Sequence, residues 1–153
     1  MERDWREPFA SSEVVRRRMS KLARKDTGPE VALRRALHAR GLRFFVHRRP
    51  LSDLRRTADV VFPTAKVAVF VDGCFWHGCP SHGRREHRTN GWYWPEKIEQ
   101  NRLRDEDTNA QLTRAGWKVV RVWEHEQPAH AAENIHGLIL RSLTERSRAD
   151  ALR

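Results

Sequence analysis

Long apolar runs are missing from this chain. None approaches the ~18–20 residues needed to span a bilayer, so no membrane partner is expected. The first residues, MERDWREPFASSE, carry acids and no apolar core segment, so no signal peptide is expected either. Cysteine is nearly absent, with Cys74 and Cys79 the only two. A pair that close fits a reducing compartment, where it binds metal more often than it forms a disulfide. The cytoplasm is the expected setting. No internal repeat is visible.

Positive charge is abundant. Across 153 residues, 30 lysines and arginines oppose 20 acids, giving a net charge of +10. The partner implied is a polyanion, nucleic acid first, and the clustering of the basic residues weighs against a merely basic surface. Charged residues at 33% and apolar residues at 39% describe a globular chain with a charged surface, long enough for one domain with its own core.

The chain is organised around residues 66–82, KVAVFVDGCFWHGCPSH. Val67 to Val71 has the pattern of a buried strand, and Asp72-Gly73 of a sharp turn after it. Cys74, Phe75, Trp76, His77, Cys79 and His82 follow at once, on a loop hung from the stiffest kind of support a small domain offers.

In chain order, residues 1–15 are expected as a flexible arm and 16–145 as a single domain, with 146–153 a frayed tail. Residues 16–26 are densely basic, with Arg17 and Lys21 among their cations and Met19 their one large flexible apolar residue. Such a segment either orders on a phosphate backbone or is a solvated charged helix. Thr27-Gly28-Pro29-Glu30 predicts a helix start with a Thr27–Glu30 capping box, and Gly41 a stop. Glu30 thus has a structural explanation of its own. Strands are predicted over 42–47, 58–62, 67–71 and 117–123. A helix is predicted from Pro95 to about Ala115, and a last one from Pro128 that packs through Ile135, Leu138, Ile139 and Leu143. The order predicts an α/β sheet with helices on its faces.

Three groups carry chemistry. Cys74 and Cys79 offer two zinc ligands, His82 a third, and His125 a fourth from the end of another strand. Free buried cysteines are the plain alternative. Asp59 is an acid inside an apolar strand, where it needs a cation or hydrogen-bond donors. Asp105 shares a helix face with Ile98 and Leu112 and therefore either approaches the same sheet edge or pairs with Arg102 or Arg104. Two nearby carboxylates in a basic protein point to magnesium and phosphodiester hydrolysis. His77 suits general acid–base work or zinc ligation. Phe75 and Trp76 either enter a base stack or cap the core.

The runs FVDGCFWHGCP, RTADVVF, TGPEVALR, WPEKIEQNRLRD and GWKVVRVWEH together resemble the very short patch repair DNA mismatch endonucleases, over residues 16 to 127. The resemblance implies the restriction-endonuclease-like fold, a mixed β-sheet flanked by helices. It implies an enzyme that uses Mg2+ to nick the thymine strand at T:G mismatches left by deamination of 5-methylcytosine. Its implied partner is double-stranded DNA containing that mismatch, bound by a monomer at the nucleoid, with accessory repair proteins. Asp59 is then the magnesium carboxylate, helped by the backbone carbonyl of Val71, while His77 and Asp105 flank the hydrolytic water and Glu30 assists. Phe75, Trp76 and Trp94 match the family's aromatic wedge, and Met19 a residue inserted from the opposite groove.

The match has departures. Ser81 stands at a zinc position with His82 beside it, and Cys79 and His125 each exchange one ligand type for the other. Val71 replaces a hydroxyl residue, Asp72 a histidine, and no acid-x-lysine follows Asp59. The rivals to this reading are a nuclease of the same fold without mismatch preference and a non-catalytic, zinc-stapled DNA-binding module.

Overall fold

The computed structural model describes residues 25–74, 79–81 and 93–153, with residues 93 and 94 described by their backbone alone. The chain runs α1 (Gly28–Ala39), β1 (Phe45–Arg48), β2 (Ala58–Phe62), β3 (Val67–Asp72), α2 (Tyr93–Arg114), β4 (Lys118–Trp123) and α3 (Pro128–Ala151). The strands form a mixed sheet in the order β1-β2-β3-β4. β1 and β2 pair antiparallel, as do β2 and β3, whereas β3 and β4 run parallel. The connection from β3 to β4 crosses over through α2, as a parallel pair requires.

Strand alternation sorts β3 between two cores. Val67 and Val69 face one cluster with Leu33 and Leu37 of α1 and Ala131, Ala132, Ile135 and Ile139 of α3. Ala68 and Phe70 face the other with Leu112 of α2 and Trp117. A strand covered on both faces reads as an unbroken apolar run, which is why Val67 to Val71 shows no polar alternation.

The expected boundaries need several corrections. Thr27 sits at the N-cap of α1, but its side chain makes no cap bond. Glu30 turns instead to the Asp26 N–H, at 2.9 Å, so the capping box is absent. The stop at Gly41 is as expected. Gly41 has φ +75°, and Leu42 N–H reaches Leu37 carbonyl while Gly41 N–H reaches that of His38. This is the Schellman arrangement, which needs the left-handed backbone glycine adopts freely.

β1 begins at Phe45 rather than Leu42, and Leu42 and Phe44, just before it, pack on the first core. α2 begins two residues before Pro95, which occupies the first turn, where a missing N–H costs nothing. The tail does not fray at 146: α3 continues to Ala151, with neither glycine nor proline after Gly137 to stop it. Its packing face is also shifted. Ala131, Ala132 and Ser142 are buried, while Leu143 is 37% exposed. Among the described residues, no helix is long and apolar enough to cross a membrane.

Candidate active site and metal centre

Asp59 lies where β2 parts from its neighbours. On one side, Val46↔Val60 and Arg48↔Ala58 pair, and the skipped rung between them sets His47 opposite Asp59. His47 has φ +48°, a left-handed conformation rare in a strand. At the same point the alternation breaks, and Ala58 joins Val61 in the second core. On the other side, β2–β3 pairing runs only to Val60↔Val69. Two residues further on, the Val71 N–H donates to Asp59 Oδ2 at 2.7 Å, so a side chain replaces the missing rung.

The direction of the Val71 carbonyl follows from the strand. Lys118 N–H donates to the Lys66 carbonyl and Glu124 N–H to that of Asp72, so even-numbered carbonyls of this segment face β4. Successive backbone groups alternate sides, which turns the Val71 carbonyl toward β2 and the gap that Asp59 borders. A carboxylate and a backbone carbonyl bordering one gap are the oxygen donors a magnesium ion takes. The electrostatics agree. Burial pushes the Asp59 carboxyl up to about 6, the Val71 hydrogen bond opposes this, and the charges of Glu30 and Asp72 raise it further. A cation in the gap would offset the cost of ionising Asp59 there.

Glu30, expected to assist, is 5% exposed and belongs to a knot beside this gap. Arg34 donates to Asp26 Oδ1 at 2.7 Å and to Glu30 Oε2 at 3.3 Å. His47 Nε2 lies 3.0 Å from Asp26 Oδ1 and 3.8 Å from Glu30 Oε2. His47 first and Arg34 second hold the Asp26 carboxyl below its ordinary range. The two acids and the histidine have metal-like spacing, but the Arg34 guanidinium already supplies the positive charge they need.

Asp105 sits on α2 and pairs with neither Arg102 nor Arg104. A partner among the described residues is Arg121 of β4, with Nη1 3.3 Å from Asp105 Oδ1, whereas Arg102 pairs with Glu99. The same Nη1 donates to both oxygens of Asp72, at 3.0 and 3.3 Å. Asp72 therefore links the two acids expected to act together: its charge bears on Asp59 and it shares a guanidinium with Asp105.

Three of the four expected zinc ligands meet. Cys74 Sγ lies 3.1 Å and Cys79 Sγ 3.8 Å from His125 Nδ1, and all three ligand atoms fall within 4.8 Å of one another. The loop is tied to match: Cys79 N–H donates to the Cys74 carbonyl at 2.9 Å. Cys74 N–H in turn donates to Glu124 Oε1 at 2.9 Å. Two buried thiols and an imidazole at this separation are a donor set that suits zinc. As a bare thiol, Cys74 is pushed up to about 11, first by burial and then by Cys79. A cation that binds thiolate reverses that penalty.

His82 lies outside the described residues, as do His77, Phe75, Trp76, Met19, Arg17 and Lys21. Trp94 falls in the first turn of α2. Sequence reasoning missed Arg121, His47, Arg34 and Asp26. Arg121 had a signal, a lone arginine inside the apolar WKVVRVW strand. The His47 conformation had none, because it depends on the skipped rung.

Among known proteins, the family model for DNA mismatch endonuclease Vsr matches residues 11–82. Type II nicking enzyme V.NaeI of Lentzea aerocolonigenes is 50% identical over 115 residues, 72% of this chain and 68% of the relative. Type II nicking enzyme V.XorIIP of Xanthomonas oryzae pv. oryzae is 42% identical over 116 residues, 76% of this chain and 83% of the relative. DNA mismatch endonuclease Vsr of Escherichia coli K12 is 33% identical over 106 residues, 69% of this chain and 66% of the relative.

Proposed function

The chain belongs to the Vsr family of DNA endonucleases, and we propose on that premise that it nicks the thymine strand at T:G mismatches by magnesium-dependent hydrolysis. That it is an endonuclease acting on DNA is common to the family and to its nicking relatives. The mismatch preference and the metal are our reading. The mixed sheet flanked by helices serves, on this reading, as a restriction-endonuclease-like core.

The observation that carries the proposal is the gap at the end of the β2–β3 ladder. Asp59 projects a carboxylate into it, Val71 turns a carbonyl toward it, and burial makes the bare carboxylate costly there. A magnesium ion held there would polarise the scissile phosphate and acidify a water. Asp59 and the Val71 carbonyl hold it. Asp105, steadied by Arg121, and His77 orient the attacking water and take its proton. Glu30 assists from the side of α1, anchored by Arg34.

Cys74, Cys79 and His125, with His82 as a fourth ligand, hold a structural zinc that staples the segment carrying Phe75, Trp76 and His77. The two aromatics, with Trp94, enter the base stack, where a mismatch lowers the few kcal/mol that unstacking costs. Met19 inserts from the other groove, and Arg17 and Lys21 hold phosphates. The enzyme works as a monomer at the nucleoid, with accessory repair proteins completing the repair.

One assay tests this reading. A duplex with a single T:G pair and its T:A control are incubated with the enzyme, with magnesium or with a chelator. Nicking of the T:G duplex alone, and only with magnesium, is expected. Equal cutting of both duplexes would leave a nuclease without mismatch preference, and no cutting of either would leave a DNA-binding module.

A further inference from the structure

Arg121 and Phe70 stand opposite each other in the parallel β3–β4 register. The Arg121 guanidinium lies over the Phe70 ring, 4.4 Å from its centroid, which fixes its plane. From there it grips α2 at two points one turn apart. Nε donates to Asn109 Oδ1 at 3.0 Å, and Nη1 meets Asp105 Oδ1 at 3.3 Å. The same Nη1 holds Asp72, which is 6% exposed and follows directly on Val71.

A single buried ion pair needs one acid. Here one guanidinium takes two, Asp72 on β3 and Asp105 on α2, and so ties the helix to the strand. Asp105 is the more exposed of the two, with 19% of its side chain accessible against 8% for Asp72. The rotation of α2 is thereby set against the residue whose neighbour supplies the Val71 carbonyl.

We propose that Arg121 is a positioning residue for strand cleavage, fixing the Asp105 carboxylate relative to the Asp59–Val71 gap through its joint hold on Asp72, Asp105 and Asn109. The proposal rests on the nuclease reading above and adds a residue that acts only through Asp105. Arg121→Lys keeps a positive charge beside buried Asp72, so it leaves no buried acid without a cation. Lysine lacks the planar fork, however, and cannot hold all three partners in one geometry.

The test is single-turnover nicking of a T:G duplex by wild type, Arg121→Lys, Asp105→Asn and the double variant, with DNA affinity measured in parallel. Arg121→Lys is expected to lose tenfold or more, up to the ~10²-fold that an ångström of misplacement costs, with DNA affinity unchanged. In the Asp105→Asn background the same change is expected to cost less than about twofold, because residues acting as a unit are non-additive. Equal losses in both backgrounds, or no loss in the Lys variant, would overturn the proposal while leaving the nuclease reading intact. A wild type that nicks nothing removes both. Where Asp105→Asn is too slow to follow, Arg121→Ala decides: methylguanidinium, but not methylammonium, restores its rate, and failure of that rescue overturns the proposal.

Discussion

The Asp59 carboxylate accepts the Val71 N–H at 2.7 Å at the point where β2 has stopped pairing with β3. One hydrogen bond thus closes the ladder with a charged side chain instead of a backbone carbonyl. It also aims the second oxygen-bearing group, the Val71 carbonyl, into the same gap. The fold holds a desolvated acid here at a cost in stability, and that cost is measurable.

Burial pushes the Asp59 carboxyl from 3.8 to about 6, so the folded chain holds this proton more tightly than the unfolded chain. The stability that the proton confers is complete below the ordinary value and is lost as pH rises through the raised one. In metal-free buffer near pH ~8, Asp59→Asn should therefore be more stable than wild type, by on the order of 1–3 kcal/mol after allowance for partial solvent access. The gap should close below about pH 4. Thermal denaturation across this range checks it, and a gap independent of pH would place the effect elsewhere than the carboxylate.

Magnesium should reverse that order. Bound to the ionised carboxylate, it should raise the wild-type melting temperature near pH ~8 and leave Asp59→Asn unmoved. Because proton and metal compete for one carboxylate, the apparent magnesium affinity should fall about tenfold per pH unit below about 6. Asp59→Ala should abolish nicking while leaving DNA binding within a few-fold of wild type. Isothermal titration measures the magnesium affinity, a nicking assay the activity and a gel shift the DNA binding, and pH-independent magnesium affinity would remove Asp59 from the metal site.

Elemental analysis should find about one zinc per chain. Cys74→Ser and Cys79→Ser should each lose the metal and destabilise the chain by ~3 kcal/mol or more, since both side chains are buried and metal binding here contributes to folding. His125→Ala should cost less, because His125 is exposed and a water can take its place as ligand. Retention of full zinc by Cys74→Ser would contradict the site.

The buried strand and two of the helix stops were legible because they depend on local pattern: Val67 to Val71 is apolar on both faces, and Gly41 and Gly116 supply left-handed stops after α1 and α2. Asp59 stood out because an acid in a strand conflicts with its neighbours. The meeting of Cys74 and Cys79 with His125 was legible too, as soft ligands at the ends of two strands. The company these residues keep was not. Arg121 reaches Asp105 only because β3 and β4 run parallel with Phe70 opposite Arg121, and no sequence spacing encodes that register. Glu30 carried the correct spacing for a capping box, but the Asp26 N–H and Arg34, each four residues away, take its carboxylate, with His47 alone coming from another element.

That competition yields a last prediction. Glu30 is 5% exposed and its carboxylate is held by Arg34 and the Asp26 N–H. Arg34→Met keeps the apolar stem but leaves a buried acid without its cation, and should cost about 3 kcal/mol. Glu30→Gln removes the charge that makes Arg34 necessary, so adding it to Arg34→Met should recover part of that loss rather than add to it. Urea denaturation of the four proteins measures the coupling, and simple additivity would show that Arg34 serves something other than Glu30. The same Glu30→Gln variant reports on the site, because the Glu30 charge raises Asp59. Its removal should shift the pH at which magnesium binding fails to a lower value, and an unmoved midpoint would mean that Glu30 and Asp59 are electrostatically separate.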